Sequence, residues 1–293
     1  YLEQQLQRSR REGVRPGNEE RLTRRGPERA PVVILFVHGF GASRAEGEAV
    51  VDQLAAELEA TVYYTRLPGH GGSLEAQAAA RTDEYFARLE EDFHRLRPHD
   101  EKLVLISSST GALLCVWLAA RHPDDVAALI LASPLLAYAD PLAFLLSRRV
   151  GMPIIEALYG PIRDASWPTD PEGRKQSGYE DHWITRQRFR AMLPVDDLRR
   201  IIAVDETARA VRAPVELLYY YADPHHQDSV VSVPAMLDFF KKTSGGHPHP
   251  LSRQVAIVDG NHILLSQYVR TDKQKILEES RQFLQAVLKS SQR

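Results

Sequence analysis

The chain has 293 residues, a length that suits one α/β domain carrying an insertion. Its 37 Lys and Arg residues nearly balance its 39 Asp and Glu residues, so the charge gives no reason to expect a nucleic-acid partner. No stretch approaches the roughly 18 apolar residues that a membrane span needs, and the single cysteine, Cys115, excludes an internal disulfide.

Residues 1–30 are polar and rich in arginine, which predicts an N-terminal arm with a short surface helix over 2–12. Such a segment is usually solvated, and contact with a membrane surface or a partner is the alternative. The chain begins at Tyr1 rather than Met, which suggests that an N-terminal segment, such as a leader or an anchor, was cleaved or left out. The sequence therefore leaves both a cytoplasmic and an exported or anchored location open, and it does not determine the oligomeric state.

Strands and helices alternate between residues 31 and 133. Apolar runs rich in β-branched residues predict buried strands at 32–37, 61–65, 103–106 and 126–131. Amphipathic patterns predict helices at 46–59, 82–96 and 110–121. This alternation is typical of βαβ units, so the fold class is α/β with a mostly parallel central sheet and helices on both faces.

The alternation stops over residues 134–213. This stretch has helical patterns near 142–158 and 183–210 but no strong strand, which predicts a mainly helical insertion. The alternation resumes with a strand at 214–220, a helix at 233–242, a strand at 254–258 and a helix at 272–289. The predicted units are an arm at 1–30, a core formed by 31–133 and 214–293, and a cap at 134–213.

Ser109 is the candidate nucleophile, because it lies between a predicted buried strand and a predicted helix. A sharp strand-turn-helix raises a serine hydroxyl above the sheet, and small residues two positions away on each side relieve the crowding. These residues are Ser107 and Gly111, so Ser107 departs from the usual glycine. Ser107 and Ser108 are rival hydroxyls, but only Ser109 has glycine two residues later. A serine that merely caps the helix is the structural alternative.

Residues 38–41, with the sequence His-Gly-Phe-Gly, follow the first predicted buried strand. An oxyanion that forms during attack on a carbonyl needs preorganised N–H donors. One donor comes from the residue after the nucleophile, and the other comes from a loop such as this one. The predicted oxyanion hole is therefore formed by the amides of Thr110 and Phe40.

The candidate base is His262, because it follows the last predicted strand and comes after the nucleophile and the acid in the order Ser, Asp, His. The acid should follow the strand at 214–220, where Asp223 and Asp228 are both available. We favour Asp228, because the apolar residues that follow it can anchor the loop, whereas Asp223 lies in a turn-forming pair with proline. Asp259 is a weaker candidate, since it shares a tight loop with His262.

Five segments together resemble a known family. They are residues 38–43 (HGFGAS), 66–71 (RLPGHG), 109–111 (STG), 228–231 (DSVV) and 260–262 (GNH). They occur in the order seen in α/β-hydrolases, and the chain is most similar to the branch of monoglyceride lipases, lysophospholipases and serine aminopeptidase-like hydrolases. The resemblance covers residues 31–289 and implies an α/β-hydrolase fold with a cap at 134–213. Its Asp-x-Val-Val pattern favours Asp228, while Ser107 and a longer loop at 221–227 depart from the family.

These observations predict a carboxylic ester hydrolase with Ser109, Asp228 and His262 as catalytic residues. The many apolar residues of the predicted cap indicate a small-molecule ester substrate with an apolar acyl group. Amide or peptide hydrolysis, acyl transfer and carbon–carbon cleavage use the same triad and are the alternatives, and a non-catalytic binding protein on this fold is a third class. We expect no cofactor and no metal, since the adjacent His225 and His226 lack convincing ligand spacing.

Overall fold

A computed structural model describes residues 1–24, 30–96, 102–140, 151–164 and 178–290. The described strands are β1 (Arg21–Arg24), β2 (Val32–Val37), β3 (Thr61–Tyr64), β4 (Lys102–Ser108), β5 (Val126–Ala132), β6 (Ile162–Asp164), β7 (Arg186–Arg188), β8 (Val215–Asp223), β9 (His226–Gln227) and β10 (Arg253–Ile257). The described helices are α1 (Leu2–Arg11), α2 (Glu48–Glu57), α3 (Leu74–Ala79), α4 (Thr82–Leu96), α5 (Ser109–Arg121), α6 (Met152–Tyr159), α7 (Tyr179–His182), α8 (Met192–Ile202), α9 (Asp205–Ala210), α10 (Val233–Gly246) and α11 (Lys273–Ser290). Short 3-10 helices lie at Arg44–Glu46 and Phe189–Ala191.

The central sheet has the strand order β1-β3-β2-β4-β5-β8-β10, and β9 pairs with β8. Strand β1 is antiparallel to β3, and the other pairs along this path are parallel. The prediction of a mostly parallel sheet is confirmed. Parallel strands end at the same edge of a sheet, so the loops after β2, β4, β8 and β10 gather the candidate residues there.

Helices cover both faces of this sheet because its central strands are apolar on both sides. All six residues of β2 are buried, and alternate side chains enter two separate clusters. Leu35 packs in the cluster that contains side chains of α4, α5 and α10, whereas Phe36 packs in the cluster that contains those of α2 and α11. The continuous apolar run at 32–37 is therefore the sequence signature of a doubly covered strand.

The N-terminal segment is docked on the core instead of extending as a solvated arm. Strand β1 adds an edge to the sheet, and the buried Arg66 donates hydrogen bonds to Ser9 Oγ (2.9 Å) and to Glu12 Oε2 (2.6 Å). Arg15 donates to the backbone oxygen of Trp183 at 3.0 Å. Polar contacts of this kind leave no apolar periodicity, so the sequence pattern predicts neither the strand nor the docking.

The segment between β5 and β8 contributes four described helices, α6 to α9, and also a two-stranded antiparallel sheet of β6 and β7. The sequence pattern predicts no strong strand here. Strands of three residues are too short to show an alternating pattern. The predicted helix at 142–158 is described only from residue 151 onward, and its earlier part lies outside the described residues. In the part of the chain that is described, no helix is both long enough and apolar enough to cross a membrane.

Candidate active site

A sharp turn at the carboxyl end of β4 presents Ser109. Strand β4 ends at Ser108 and α5 begins at Ser109, whose φ of 50° lies in the left-handed region that non-glycine residues rarely adopt. A Cβ atom on Gly111 would lie 2.2 Å from the backbone oxygen of Val37 and 2.4 Å from that of His38. Glycine is therefore required for the close approach of α5 to β2 that the turn produces.

The two rival hydroxyls of the turn point elsewhere. Ser107 is fully buried, and its Oγ donates a long hydrogen bond of 3.4 Å to the backbone oxygen of Ile130. Ser108 Oγ donates to Glu46 Oε1 at 2.9 Å. Ser109 Oγ alone of the three lies beside the candidate base.

Ser109, His262 and Asp228 form one continuous hydrogen-bonded series. Ser109 Oγ lies 3.0 Å from His262 Nε2, and His262 Nδ1 lies 2.9 Å from Asp228 Oδ2. The other carboxylate oxygen, Asp228 Oδ1, accepts hydrogen bonds from the amides of Val230 (2.9 Å) and Val231 (3.0 Å). All three side chains are buried or nearly so, with exposed fractions of 8%, 8% and 2% for Ser109, His262 and Asp228. The structure thus brings the three predicted residues together in hydrogen-bonding order.

The electrostatics of this series favour a carboxylate beside a basic imidazole. Burial acts to raise the pKa of Asp228, but the charge and hydrogen bond of His262 and the two backbone amides together lower it below its usual value. Burial acts to lower the pKa of His262, but Asp228, and then Glu46, raise it above its usual value. His262 is therefore a stronger base than a free imidazole, and Asp228 remains ionised beside it.

The alternative acids lie away from His262. Asp223 is half-exposed at the end of β8, where it accepts hydrogen bonds from the backbone of His225 and His226 and pairs with His226 Nδ1 at 2.7 Å. Asp259 is exposed and lies 3.4 Å from Arg270. Asp223 thus stabilises the turn between β8 and β9, and His225 and His226 belong to that turn as its hydrogen-bond partners. No group of three or more metal-ligating side chains occurs in the described ranges.

The loop after β2 is held rigidly beside Ser109. His38 is fully buried, donates from Nδ1 to the backbone oxygen of Gly39 at 2.8 Å, and accepts at Nε2 from the amide of Leu67 at 3.2 Å. The amide of Gly39 donates to Glu46 Oε2 at 2.5 Å. Phe40 and Thr110 both line the cavity that contains Ser109, and the Thr110 amide belongs to the first turn of α5, where N–H groups have no intrahelical partner.

Glu46 is a functional candidate that no sequence motif indicates. It is 2% exposed, and its two oxygens accept hydrogen bonds from the Gly39 amide and from Ser108 Oγ. It therefore ties the loop after β2 to the turn that carries Ser109. Burial raises the pKa of Glu46, an effect that these two donors and the charge of His262 only partly offset. In the sequence this glutamate reads as an ordinary acidic residue at the start of the predicted helix at 46–59, and its partners are visible only in three dimensions.

A cavity of about 270 Å³ opens above Ser109. Its wall combines apolar residues of the core, such as Leu135, with residues of the segment between β5 and β8, such as Trp183 and Met192. The same segment contributes Arg163 from β6, which the sequence analysis did not single out. The exposed surface of the cavity is therefore mostly apolar, as is usual for small-molecule sites, but several polar and charged side chains also line it.

The parallel sheet, the turn at Ser109 and the hydrogen-bonded series together define an α/β-hydrolase. Residues 28–246 match the family described as "Serine aminopeptidase, S33", and the chain belongs to this family. The match spans most of the described core and the segment inserted between β5 and β8.

Individual relatives agree with this assignment. "Protein ABHD8" of Mus musculus is 36% identical over 110 residues, which cover 37% of this chain and 24% of that protein. "Thermostable monoacylglycerol lipase" of Bacillus sp. (strain H-257) is 30% identical over 97 residues, which cover 33% of this chain and 38% of the lipase. The chain thus spans only about a quarter to two fifths of the length of these relatives.

A solved structure shows the same fold over nearly the whole chain. It comes from work on "LipS and LipT, two metagenome-derived lipolytic enzymes", with a TM-score of 0.72 and 20% sequence identity over 93% of this chain and 99% of that one. These findings confirm the predicted α/β-hydrolase fold and the branch that contains monoglyceride lipases.

Proposed function

We propose that this protein is a serine carboxylic ester hydrolase that acts through an acyl-enzyme. The observation that carries the proposal is the series Ser109–His262–Asp228, with hydrogen bonds of 3.0 and 2.9 Å, at the base of an apolar cavity. The relatives and solved structures named above include lipolytic enzymes, which supports an ester as the substrate.

Acylation begins when Ser109 Oγ attacks the ester carbonyl carbon. His262 Nε2 takes the hydroxyl proton as the new carbon–oxygen bond forms, and Asp228 stabilises the resulting imidazolium. The carbonyl oxygen becomes an oxyanion, which the amides of Phe40 and Thr110 stabilise. The bond to the leaving alkoxide then breaks, and His262 returns the proton to it, so that an alcohol leaves and Ser109 carries the acyl group.

Deacylation repeats these steps with water as the nucleophile. His262 removes a proton from water as the water oxygen bonds to the acyl carbon, and the same two amides stabilise the second oxyanion. The bond between the acyl carbon and Ser109 Oγ breaks, and the proton on His262 returns to that oxygen. The products are a carboxylic acid and the free enzyme.

The described residues of the segment between β5 and β8 act as a cap over this site. The described part of the segment supplies Trp183, Met192 and Val195 to the cavity wall, together with the polar side chains of Arg163 and Gln187. Apolar walls of this kind fit an ester with an apolar acyl group, since the burial of each methylene contributes about 0.8 kcal/mol. Monoacylglycerols, lysophospholipids and short or medium acyl esters belong to this substrate class.

Amide hydrolysis is the second candidate, because the family is described as serine aminopeptidase. The same triad hydrolyses an amide if it can protonate the leaving amine. A substrate panel therefore includes p-nitrophenyl esters of increasing acyl length, monoacylglycerols, lysophospholipids and an aminoacyl p-nitroanilide. Preferential turnover of the anilide would favour the aminopeptidase over the esterase.

The test of the nucleophile compares Ser109→Ala with Ser107→Ala. We expect Ser109→Ala to lower kcat for a p-nitrophenyl ester by at least about a thousandfold, because no acyl-enzyme can form. Ser107→Ala removes a neighbouring buried hydroxyl that points toward Ile130, so it should keep most of the activity. Unchanged turnover in Ser109→Ala, or failure of a fluorophosphonate to label Ser109, would contradict the proposal.

A further inference from the structure

Arg163 places a positive charge in the cavity that contains Ser109. It lies in the middle of β6, and its side chain lines the same cavity as Ser109 and His262. The residue is partly buried, and apolar side chains such as Trp183 and Met192 lie on the same cavity wall. The desolvation of a cation is costly, so a buried arginine normally has an anionic partner.

A neutral side chain holds the guanidinium in position. Arg163 Nε and Nη2 donate to Gln187 Oε1 at 3.2 and 2.6 Å. Gln187 is 3% exposed, and its own Nε2 donates to the backbone oxygen of Ile184 at 2.9 Å, which directs Oε1 toward Arg163. Because Gln187 carries no charge, it orients the guanidinium without neutralising it.

No carboxylate of the described residues compensates this charge. Burial lowers the pKa of Arg163, and only the Tyr138 hydroxyl acts in the opposite direction. The acidic residues that line the same cavity are Glu46, which is bonded to Gly39 and Ser108, and the exposed Asp140 and Asp164. Within the described ranges, Arg163 Nη1 makes no hydrogen bond, so the fork of the guanidinium retains donors for a ligand.

We propose that Arg163 binds an anionic group of the substrate, so that the preferred ester carries a carboxylate or a phosphate in addition to its scissile bond. The inference rests on the proposed ester hydrolysis and names the substrate class of that site. A planar guanidinium pairs with the oxygens of either anion through charge-assisted hydrogen bonds. Such a charge-assisted pair changes binding by about ten- to a hundredfold.

The experiment compares esters that differ only in the anionic group. For a carboxylate, monomethyl adipate is compared with methyl hexanoate, and for a phosphate, 1-hexanoylglycerol 3-phosphate is compared with 1-hexanoylglycerol. We expect the wild-type protein to prefer the anionic member of at least one pair by tenfold or more in kcat/KM. Which pair shows the preference identifies the anion and the side of the ester bond that carries it.

The decisive variants are Arg163→Gln and Arg163→Lys. Arg163→Gln should lower kcat/KM for the anionic ester at least tenfold more than for the neutral ester, so that the preference is lost. Arg163→Lys should restore part of the preference because it keeps the charge. Arg186→Gln is the matched control, since Arg186 is exposed on the neighbouring strand β7 and the change removes the same charge. The control should leave the preference intact.

Three results would overturn the inference. In the first, the wild type has the same kcat/KM for both members of each pair. In the second, Arg163→Gln lowers kcat/KM equally for neutral and anionic esters. In the third, Arg186→Gln also abolishes the preference for the anionic ester. Equilibrium binding of the same four esters to Ser109→Ala, measured by calorimetry, tests Arg163 without any turnover. Absence of hydrolysis by the wild type would refute the esterase, whereas binding that does not depend on Arg163 would refute only the anionic subsite.

Discussion

Replacement of Asp228 by asparagine tests the proposed triad through the position of a single proton. Asp228 Oδ1 accepts from the amides of Val230 and Val231, whereas Oδ2 faces His262 Nδ1. Asparagine has one oxygen, and that oxygen will remain on the two amides. The asparagine NH₂ group then faces His262 Nδ1, so the imidazole proton must move to Nε2. A protonated Nε2 cannot accept the proton of Ser109.

The hydrogen bonds of the structure set the size of this effect. The opposite orientation of asparagine would leave the partly buried amide of Val230 and the buried amide of Val231 facing a donor, at about 1–3 kcal/mol for each unsatisfied buried group. It would gain only one hydrogen bond to His262, about 1 kcal/mol. The unproductive tautomer is therefore strongly favoured, and if the proposed triad is correct we expect kcat to fall by about 10³- to 10⁴-fold, the size of loss typical of Ser-His-Asp hydrolases.

The assay is steady-state hydrolysis of a p-nitrophenyl ester at pH 8, with circular dichroism melts to verify folding. Asp223→Asn is the matched control, because Asp223 is the rival acid but contacts His226 in a half-exposed turn. This control should keep kcat within about twofold of the wild type. A folded Asp228→Asn variant that keeps more than a tenth of kcat, or a comparable loss in Asp223→Asn, would refute the reasoning.

Two further predictions concern the surroundings of the triad. Asp228 and Glu46 raise the pKa of His262 despite burial, so the acid limb of the pH profile of kcat/KM should lie above pH 6.5. Glu46→Gln should shift this limb to lower pH, because removal of an anion favours the neutral imidazole. A limb that does not move in the variant's pH-rate profile would contradict this prediction. Gly111→Ala puts a Cβ atom 2.2 Å from a backbone oxygen. We expect it to lower the free energy of unfolding by about 1–3 kcal/mol in thermal melts and to lower kcat/KM at least about a hundredfold. Gly72→Ala is the control, because the nearest atom to its Cβ lies at 3.6 Å, and it should retain both stability and activity.

The regular part of the fold could be predicted because burial imposes a period on the sequence. The runs at 32–37 and 126–131 coincide with β2 and nearly with β5, and the helix predicted at 82–96 is α4. Strand β1 was missed because it is polar at the sheet edge. Strands β6 and β7 were missed because three residues are too few to show a period.

Some polar residues of the site could likewise be proposed from the sequence, whereas others could not. Ser109 and His262 could be proposed from sequence because each follows a buried strand, and parallel strands deliver their following loops to one edge of the sheet. The choice between Asp228 and Asp223 rested on a weak local pattern. In the structure only Asp228 reaches His262, because β8 continues to Asp223 and turns back into β9.

The sequence by itself determined the order of the buried strands, the sharp turn at Ser109 and the candidate catalytic residues at the strand ends. The spacing of apolar residues and the positions of small residues are local properties of the chain. Only the tertiary structure decided the partners of Glu46 and Arg163. Glu46 joins the loop after β2 to the turn after β4, and Arg163 reaches the cavity from the inserted segment. Such contacts depend on how distant segments pack, and a buried charge leaves no periodic trace in the sequence that encodes it.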